Sequence, residues 1–171
     1  VAAFGSTGFS GGYIYYWQGT PSSWECGGDA FYLFEFQEFV FDTGNGTYPS
    51  TAGKHNGTIT PSCNISVSKL YTYPCAGTGG HTEYVKIWRG SEAIAEKTWN
   101  GYLGDWYNIS FNRTFILYKN ETYNYTICTG SYPQIIHEQT KDVEGGTITC
   151  TSFEDANGKV HTDWIPAIKL Y

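Results

Sequence analysis

The sequence predicts an all-β chain: an antiparallel β-sandwich, jelly-roll-like, carrying an extended N-terminal segment. Three observations predict it. Aromatics make up 18% of the 171 residues and charged residues only 15%, and Tyr, Phe, Thr, Val and Ile favour strands. The 21 glycines and six prolines supply turns. Short stretches of five to eight residues recur with turn signals between them, the rhythm of a sandwich.

Taken in order, residues 1–20 mix small residues with Phe4, Phe9, Tyr13, Tyr15 and Trp17. They are expected to form an extended segment preceding one domain over residues 21–171. Residues 31–41, FYLFEFQEFVF, are nearly continuous hydrophobe and read as the central strand of the core. Residues 42–62 read as a long polar loop. Strands are expected at 63–73, 82–89, 92–99, 106–111, 114–118, 122–129, 146–153 and 159–170. Ser91–Trp99 is the best helical candidate, yet it follows a turn at Arg89-Gly90-Ser91 and is expected to return as the second strand of a hairpin. A chain of this length suits one domain with a real core.

Seven of the nine asparagines open an Asn-x-Ser/Thr triplet: Asn45, Asn56, Asn64, Asn108, Asn112, Asn120 and Asn124. Ser and Thr number 32 of 171 residues, so composition alone gives about 1.7 such triplets. The excess points to an exported glycoprotein bearing N-linked glycans. The positions are ordered too. A strand alternates its faces with period two, which sets Asn64 and Ser66 opposite Ile65 and Val67. The same alternation sets Asn108, Ser110 and Asn112 opposite Ile109 and Phe111, and Asn124 and Thr126 opposite Tyr123, Tyr125 and Ile127. Asn45 and Asn56 are expected in loops.

The net charge of −6 disfavours nucleic acid and anionic lipid as partners. No run of 18 apolar residues provides a membrane span. Val1-Ala2-Ala3-Phe4 has the character of a mature end left by cleavage of a leader. Five cysteines, without metal-type spacing, suit an oxidising compartment. Cys128 and Cys150 lie in YNYTICTG and GTITCTSF, which read as antiparallel neighbours and so as a bridge. Cys63 and Cys75 end one extended stretch and are too far apart to join; one of them is expected to pair with Cys26. The odd cysteine is free or joins two subunits. Each bridge within the chain is worth roughly 2–4 kcal/mol.

Asp155-Ala156-Asn157-Gly158 resembles part of a calcium loop, but a type I′ turn at Asn157-Gly158 explains it without metal. Thus no metal or other cofactor is expected, with calcium at Asp155 and Asn157 as the weak exception. His55, His81, His137 and His161 show no nucleophile motif, Glu35 and Glu38 point to opposite faces of their strand, and no catalytic residue is expected. Trp17, Trp24, Trp88, Trp99, Trp106 and Trp164 could stack on sugar or fill the core.

Four segments carry a resemblance: TWNGYLGDWYNISFN (98–112), NETYNYTICTGSYPQIIH (120–137), GTITCTSFEDANGKV (146–160) and DWIPAIKLY (163–171). This half of the chain resembles a module of secreted, sequon-rich archaeal cell-surface proteins. The resemblance implies a β-sandwich and an extracellular location, and no activity. The chain departs from that pattern in standing without an attached anchor and in having Cys128 where the family has another residue.

Two functions remain open. One is a structural subunit that assembles with copies of itself into a surface filament or sheath. The other is a secreted carbohydrate-binding module. All sequons fall between Asn45 and Asn124, which leaves both ends free for protein neighbours. An unpaired sheet edge templates another chain, and filaments can lend a strand between subunits. Residues 1–17 suit a lent strand, with Val1, Phe4, Phe9 and Tyr13 as anchors. The same segment could instead fold back onto its own domain.

Overall fold

The computed structural model describes residues 39–99, 101 and 106–171. The chain divides into two units, Val1–Gln37 and Glu38–Tyr171; everything described belongs to the second. The division expected after residue 20 and the assembly anchors Val1, Phe4, Phe9 and Tyr13 lie outside the described residues.

Among the described residues there is no helix. The strands are β1 (Phe41–Asp42), β2 (Gly53–Pro61), β3 (Ile65–Thr72), β4 (His81–Arg89), β5 (Glu92–Thr98), β6 (Asn108–Leu117), β7 (Tyr123–Gly130), β8 (Ile135–Ile136), β9 (Thr140–Val143), β10 (Gly146–Asp155), β11 (Val160–His161), β12 (Ile165–Pro166) and β13 (Ile168–Leu170). They form an antiparallel β-sandwich. One sheet runs β1-β13-β3-β6; the larger runs β11-β10-β2-β7-β4-β5, with β9 also on β10, and β12-β8 form a short pair. The pairings nest: β4 with β5, β3 with β6, β2 with β7, and β1 with β13.

Alternation fills the core. The larger sheet turns Ile59, Val85, Ile87, Tyr123, Tyr125, Ile127, Ile148 and Phe153 inward; the smaller turns Phe41, Ile65, Val67, Leu70, Ile109, Leu117, Ile168 and Leu170. The hairpin expected after Arg89 is present: Arg89 pairs with Glu92, and Gly90 takes φ +58, a left-handed conformation that glycine adopts without a Cβ clash.

Three expectations are corrected. The supposed loop 42–62 contains β2, which lies between β10 and β7. Its inward positions include His55 and Gly57, so it lacks the apolar alternation that marks a strand. Gly57 is empty space filled from the neighbouring strand: Tyr125 pairs with it directly and reaches across to donate its hydroxyl to the Thr149 carbonyl at 2.8 Å. Second, the expected strands 106–111 and 114–118 are one strand, β6, whose residues 111–114 bulge against the single residue Ser68. Third, β1 is not central. Among the described strands it ends the smaller sheet, beside β13, although Phe41 is fully buried; residues 31–38 lie outside the described residues.

The C-terminal stretch 159–170 breaks into β11, β12 and β13 because it serves three different partners, β10, β8 and β3.

Candidate functional surface

None of the seven sequon asparagines is in the core. Asn45, Asn64, Asn112 and Asn120 are exposed, and Asn56, Asn108 and Asn124 are half-buried. In four triplets the middle residue is the inward one: Gly57, Ile65, Ile109 and Tyr125 are all buried. The asparagine and hydroxyl residue on either side must then face outward, because successive strand residues alternate. Asn56 is placed on β2, not in the loop expected for it.

Two of these triplets interlock. Asn56 pairs across the strands with Thr126, and Asn124 with Thr58. The Thr126 hydroxyl donates to Asn56 Oδ1 at 2.7 Å, and Asn56 Nδ2 donates to Ser152 Oγ at 3.1 Å. Thr58 and Thr149 share a hydroxyl hydrogen bond of 2.7 Å alongside. The outer face of the larger sheet is thus a polar ladder holding two sequons on adjacent strands.

Two more sit where the open edges of the two sheets meet. Lys97 on β5 donates to Asn112 Oδ1 on β6 at 2.6 Å, and the Tyr171 hydroxyl donates to Asn108 Oδ1 at 2.9 Å. At one end of the sandwich, Asn64 Oδ1 accepts from the Lys119 amide at 2.9 Å. Asn120 beside it takes φ +62, a conformation Asn tolerates better than most residues. Its amide donates to the Pro61 carbonyl at 2.8 Å. Asn45 stands in the loop after β1.

A cleft of about 440 Å³ opens on the outer face of the larger sheet, lined by Lys54, Tyr84, Lys86, Trp88, Thr126 and Cys128 among others. The Tyr84 hydroxyl donates to Glu96 at 2.8 Å, and Lys86 lies 3.5 Å from the same carboxylate. Burial, with Glu96 second, pushes the Tyr84 phenol up to about 12. The Tyr84 bond in turn holds the Glu96 carboxyl below its ordinary range, aided by Lys86 against a smaller opposing effect of desolvation.

Of the tryptophans, Trp88 belongs to this cleft. Trp99 and Trp106 meet edge to face at 4.7 Å beside His81, and Trp164 stacks on His161 at 3.9 Å and on Phe153 at 5.5 Å. They form separate packed groups and no flat row for a long sugar chain. Trp17 and Trp24 lie outside the described residues.

The cluster at Trp164 was invisible in the sequence. It draws together His55, stacked on Phe153 at 4.1 Å, His161, and His137, edge-on to Trp164 at 4.7 Å. His55 is fully buried, and its Nδ1 donates to the Trp164 carbonyl at 3.1 Å. Its Nε2 is buried without a partner among the described residues. Desolvation lowers its pKa to about 3, against a small opposing effect of that carbonyl. The neutral imidazole packs as part of the core.

The expected Cys128–Cys150 bridge needs correction. Among the described residues Cys63, Cys75, Cys128 and Cys150 form no disulfide with one another. Cys128 on β7 and Cys150 on β10 are not neighbours, because β2 separates their strands. Cys128 pairs with Lys54 and Cys150 with Gly57, so they also differ in register. Cys150 points into the core while Cys128 faces the outer cleft. Sequence adjacency suggested a hairpin; the intervening strand comes from far earlier in the chain. Cys63 and Cys75 do stand beyond opposite ends of β3, as expected. Pairing of either with Cys26 involves a residue outside the described ones.

The turn at Asp155 also differs in type. The Gly158 amide donates to the Asp155 carbonyl at 2.9 Å, and only Gly158 has positive φ, +80. This is a type I turn followed by a left-handed glycine, not type I′. Asp155 Oδ1 accepts from the amides of Asn157 and Lys159 at 2.8 and 3.0 Å. Those bonds, Lys159 first, hold its carboxyl below the usual range. Among the described residues no group of three His, Cys, Asp or Glu could hold a metal ion, and no helix is long and apolar enough to cross a membrane. No protein-family model matches the sequence, and no curated protein matches it closely enough to count as a relative.

Proposed function

We propose that the chain is a structural subunit of an extracellular, N-glycosylated archaeal surface filament or sheath, assembled from copies of itself by strand exchange through its N-terminal segment. One observation carries this reading: all seven sequons lie outside the core, while residues 1–44 and 125–171 hold none. Sugar excludes protein contacts from the surface it covers. The sugar-free regions include β1, which ends the smaller sheet among the described residues. Opposite it, the long edge strand β6 carries Asn108 and Asn112, so glycans there would guard the edge against indiscriminate pairing. The nested strand pairing supports a jelly roll as the fold of the subunit.

The test has two parts. Glycopeptide mass spectrometry of material from the producing cells should find sugar on most of the seven asparagines. Negative-stain microscopy should show fibres or sheets, and deleting residues 1–10 should leave monomers. Fibres formed by the truncated chain would move the link away from the N-terminus. Bare asparagines would overturn the glycoprotein reading itself.

The cleft with Trp88 and Tyr84 favours a second reading, a secreted carbohydrate-binding module. A glycan array decides between them: capture of a free oligosaccharide by a monodisperse chain supports the second.

A further inference from the structure

Trp88 on β4 and Asn124 on β7 are direct cross-strand partners. Asn124, Thr126 and Cys128 alternate with the buried Tyr125 and Ile127, so they share the outer face of the sheet. Tyr84, Lys86 and Trp88 share it too, opposite Cys128, Thr126 and Asn124 in turn. Direct partners in an antiparallel pair hold their Cβ atoms roughly 4.5–5.5 Å apart. An indole that lines the cleft therefore stands directly beside a sequon asparagine.

We propose that this cleft seats the first sugar of the chain's own N-glycan, the one on Asn124, with the Trp88 indole as its stacking surface. The inference rests on the glycoprotein reading above. A pyranose ring has one face rich in C–H bonds, which packs against the electron-rich face of an aromatic ring. Its hydroxyls keep their hydrogen bonds at the rim, where Lys54, Lys86 and Thr126 supply polar groups. The sugar is covalently tethered, so it reaches the indole at high effective concentration and without the entropy cost of free association.

Asn56 offers the other nearby glycan, and the geometry favours Asn124. Asn56 lies on β2, with β7 between it and β4, and its carboxamide is held by Thr126 and Ser152. The Asn124 carboxamide makes no hydrogen bond among the described residues and is free to turn its Nδ2 toward the indole. Filling the cleft would cover the parts of Trp88 and Tyr84, both half-buried, that still face solvent.

The experiment compares full-length chain from glycosylating cells with its Asn124→Gln, Asn56→Gln, Trp88→Leu and Asn124→Gln/Trp88→Leu variants. Glycopeptide mapping first records which asparagines carry sugar. Oxidative footprinting then measures Trp88, and thermal unfolding measures Tm. Asn124→Gln should speed oxidation of Trp88 several-fold and lower Tm by about 3 °C, the shift expected when about 1 kcal/mol of packing is lost from a domain of this size. In the Trp88→Leu background the same loss of sugar should leave Tm unchanged, and Asn56→Gln, which also breaks the bonds to Thr126 and Ser152, should leave the oxidation rate of Trp88 unchanged. Sugar on Asn124 with Trp88 oxidised equally fast in its absence overturns the inference and leaves the glycoprotein reading standing. Asn124 bare while other sequons are occupied does the same; seven bare asparagines overturn both. A response confined to Asn56→Gln overturns the assignment to Asn124. Should Trp88→Leu fail to fold, the footprint of the parent against Asn124→Gln decides alone.

Discussion

His55 makes the domain acid-sensitive in a pH range where carboxylates are still ionised. Its imidazole is fully buried against Phe153 and the Trp164 carbonyl, and its pKa falls to about 3 from an ordinary 6.5. In the unfolded chain the ring takes up a proton as pH drops through 6.5; in the folded chain it stays neutral until about 3. The unfolded state therefore binds more protons across this window. The stabilisation is complete above pH 6.5, is lost progressively as pH falls, and is gone near pH 3. Each unit of pKa difference is worth about 1.4 kcal/mol, so the loss reaches about 3 kcal/mol by pH 4.5 and about 5 kcal/mol at its limit. Against a net stability of about 5–15 kcal/mol that is a large share.

The measurement is urea unfolding of the parent and of His55→Phe at several pH values from 7.5 to 4.5. Phe can keep the stack on Phe153 and removes the titrating group. It also removes the bond to Trp164, so absolute stabilities differ and only the slopes are compared. With a urea m-value of about 2 kcal/mol/M, the parent midpoint should fall by about 1.5 M more than that of the variant over this range. Parallel profiles would refute the argument, because every other titrating group is common to both chains.

Gly57→Ala should lower stability by about 3 kcal/mol or more, since a Cβ there would overlap the Thr149 carbonyl and the Tyr125 ring. The triplet Asn-Ala-Thr remains a sequon, so calorimetry on the glycosylated variant separates packing from sugar. Tyr125→Phe removes the hydroxyl from the Thr149 carbonyl and should cost about 1–2 kcal/mol in urea unfolding. Non-reducing peptide mapping should recover Cys128 and Cys150 in separate peptides. Burial raises the Cys128 and Cys150 thiols above their ordinary range, so alkylation of the folded chain should be slow at neutral pH and accelerate only in alkaline buffer.

Much of the fold was legible because period-two alternation is strong in β3, β4 and β7, whose buried residues are mostly Ile, Val, Leu and Tyr, with three threonines, Thr72, Thr82 and Thr129. β2 was not legible, because a strand can be buried without being hydrophobic when a neighbour supplies the bulk. Tyr125 covers Gly57, and Phe153 covers His55. Missing β2 then spoiled the cysteine reasoning, since it is the strand that separates Cys128 from Cys150. The aromatic group at Trp164 had no sequence signal either. His55 and Trp164 are more than 100 residues apart and meet only because β2 and the C-terminal strands serve the same core.

The placement of the sequons bears on how the register is held. A one-residue slip of a strand sends its whole inward set to the other face. In β2 the inward set is His55, Gly57, Ile59 and Pro61, so Ile59 carries most of the hydrophobic penalty for such a slip and burial specifies the register less firmly than in β7. The Asn56-Gly57-Thr58 triplet changes that balance on a glycosylated chain. A slip would carry Asn56 into the core, and a sugar there would bury many hydroxyls without partners, each costing about 1–3 kcal/mol by protein measures. On the proposed reading, then, the glycan adds to Ile59 and Lys54 in excluding the alternative pairing of β2. Asn124 does the same for β7, where Tyr123, Tyr125 and Ile127 already fix the inward face. The two differ in a measurable way. Asn56→Gln should broaden the amide exchange protection of β2 in the glycosylated protein, while Asn124→Gln should leave that of β7 uniform. Equal protection patterns in both variants would show that the turns and Tyr125 hold β2 in register without help from the sugar.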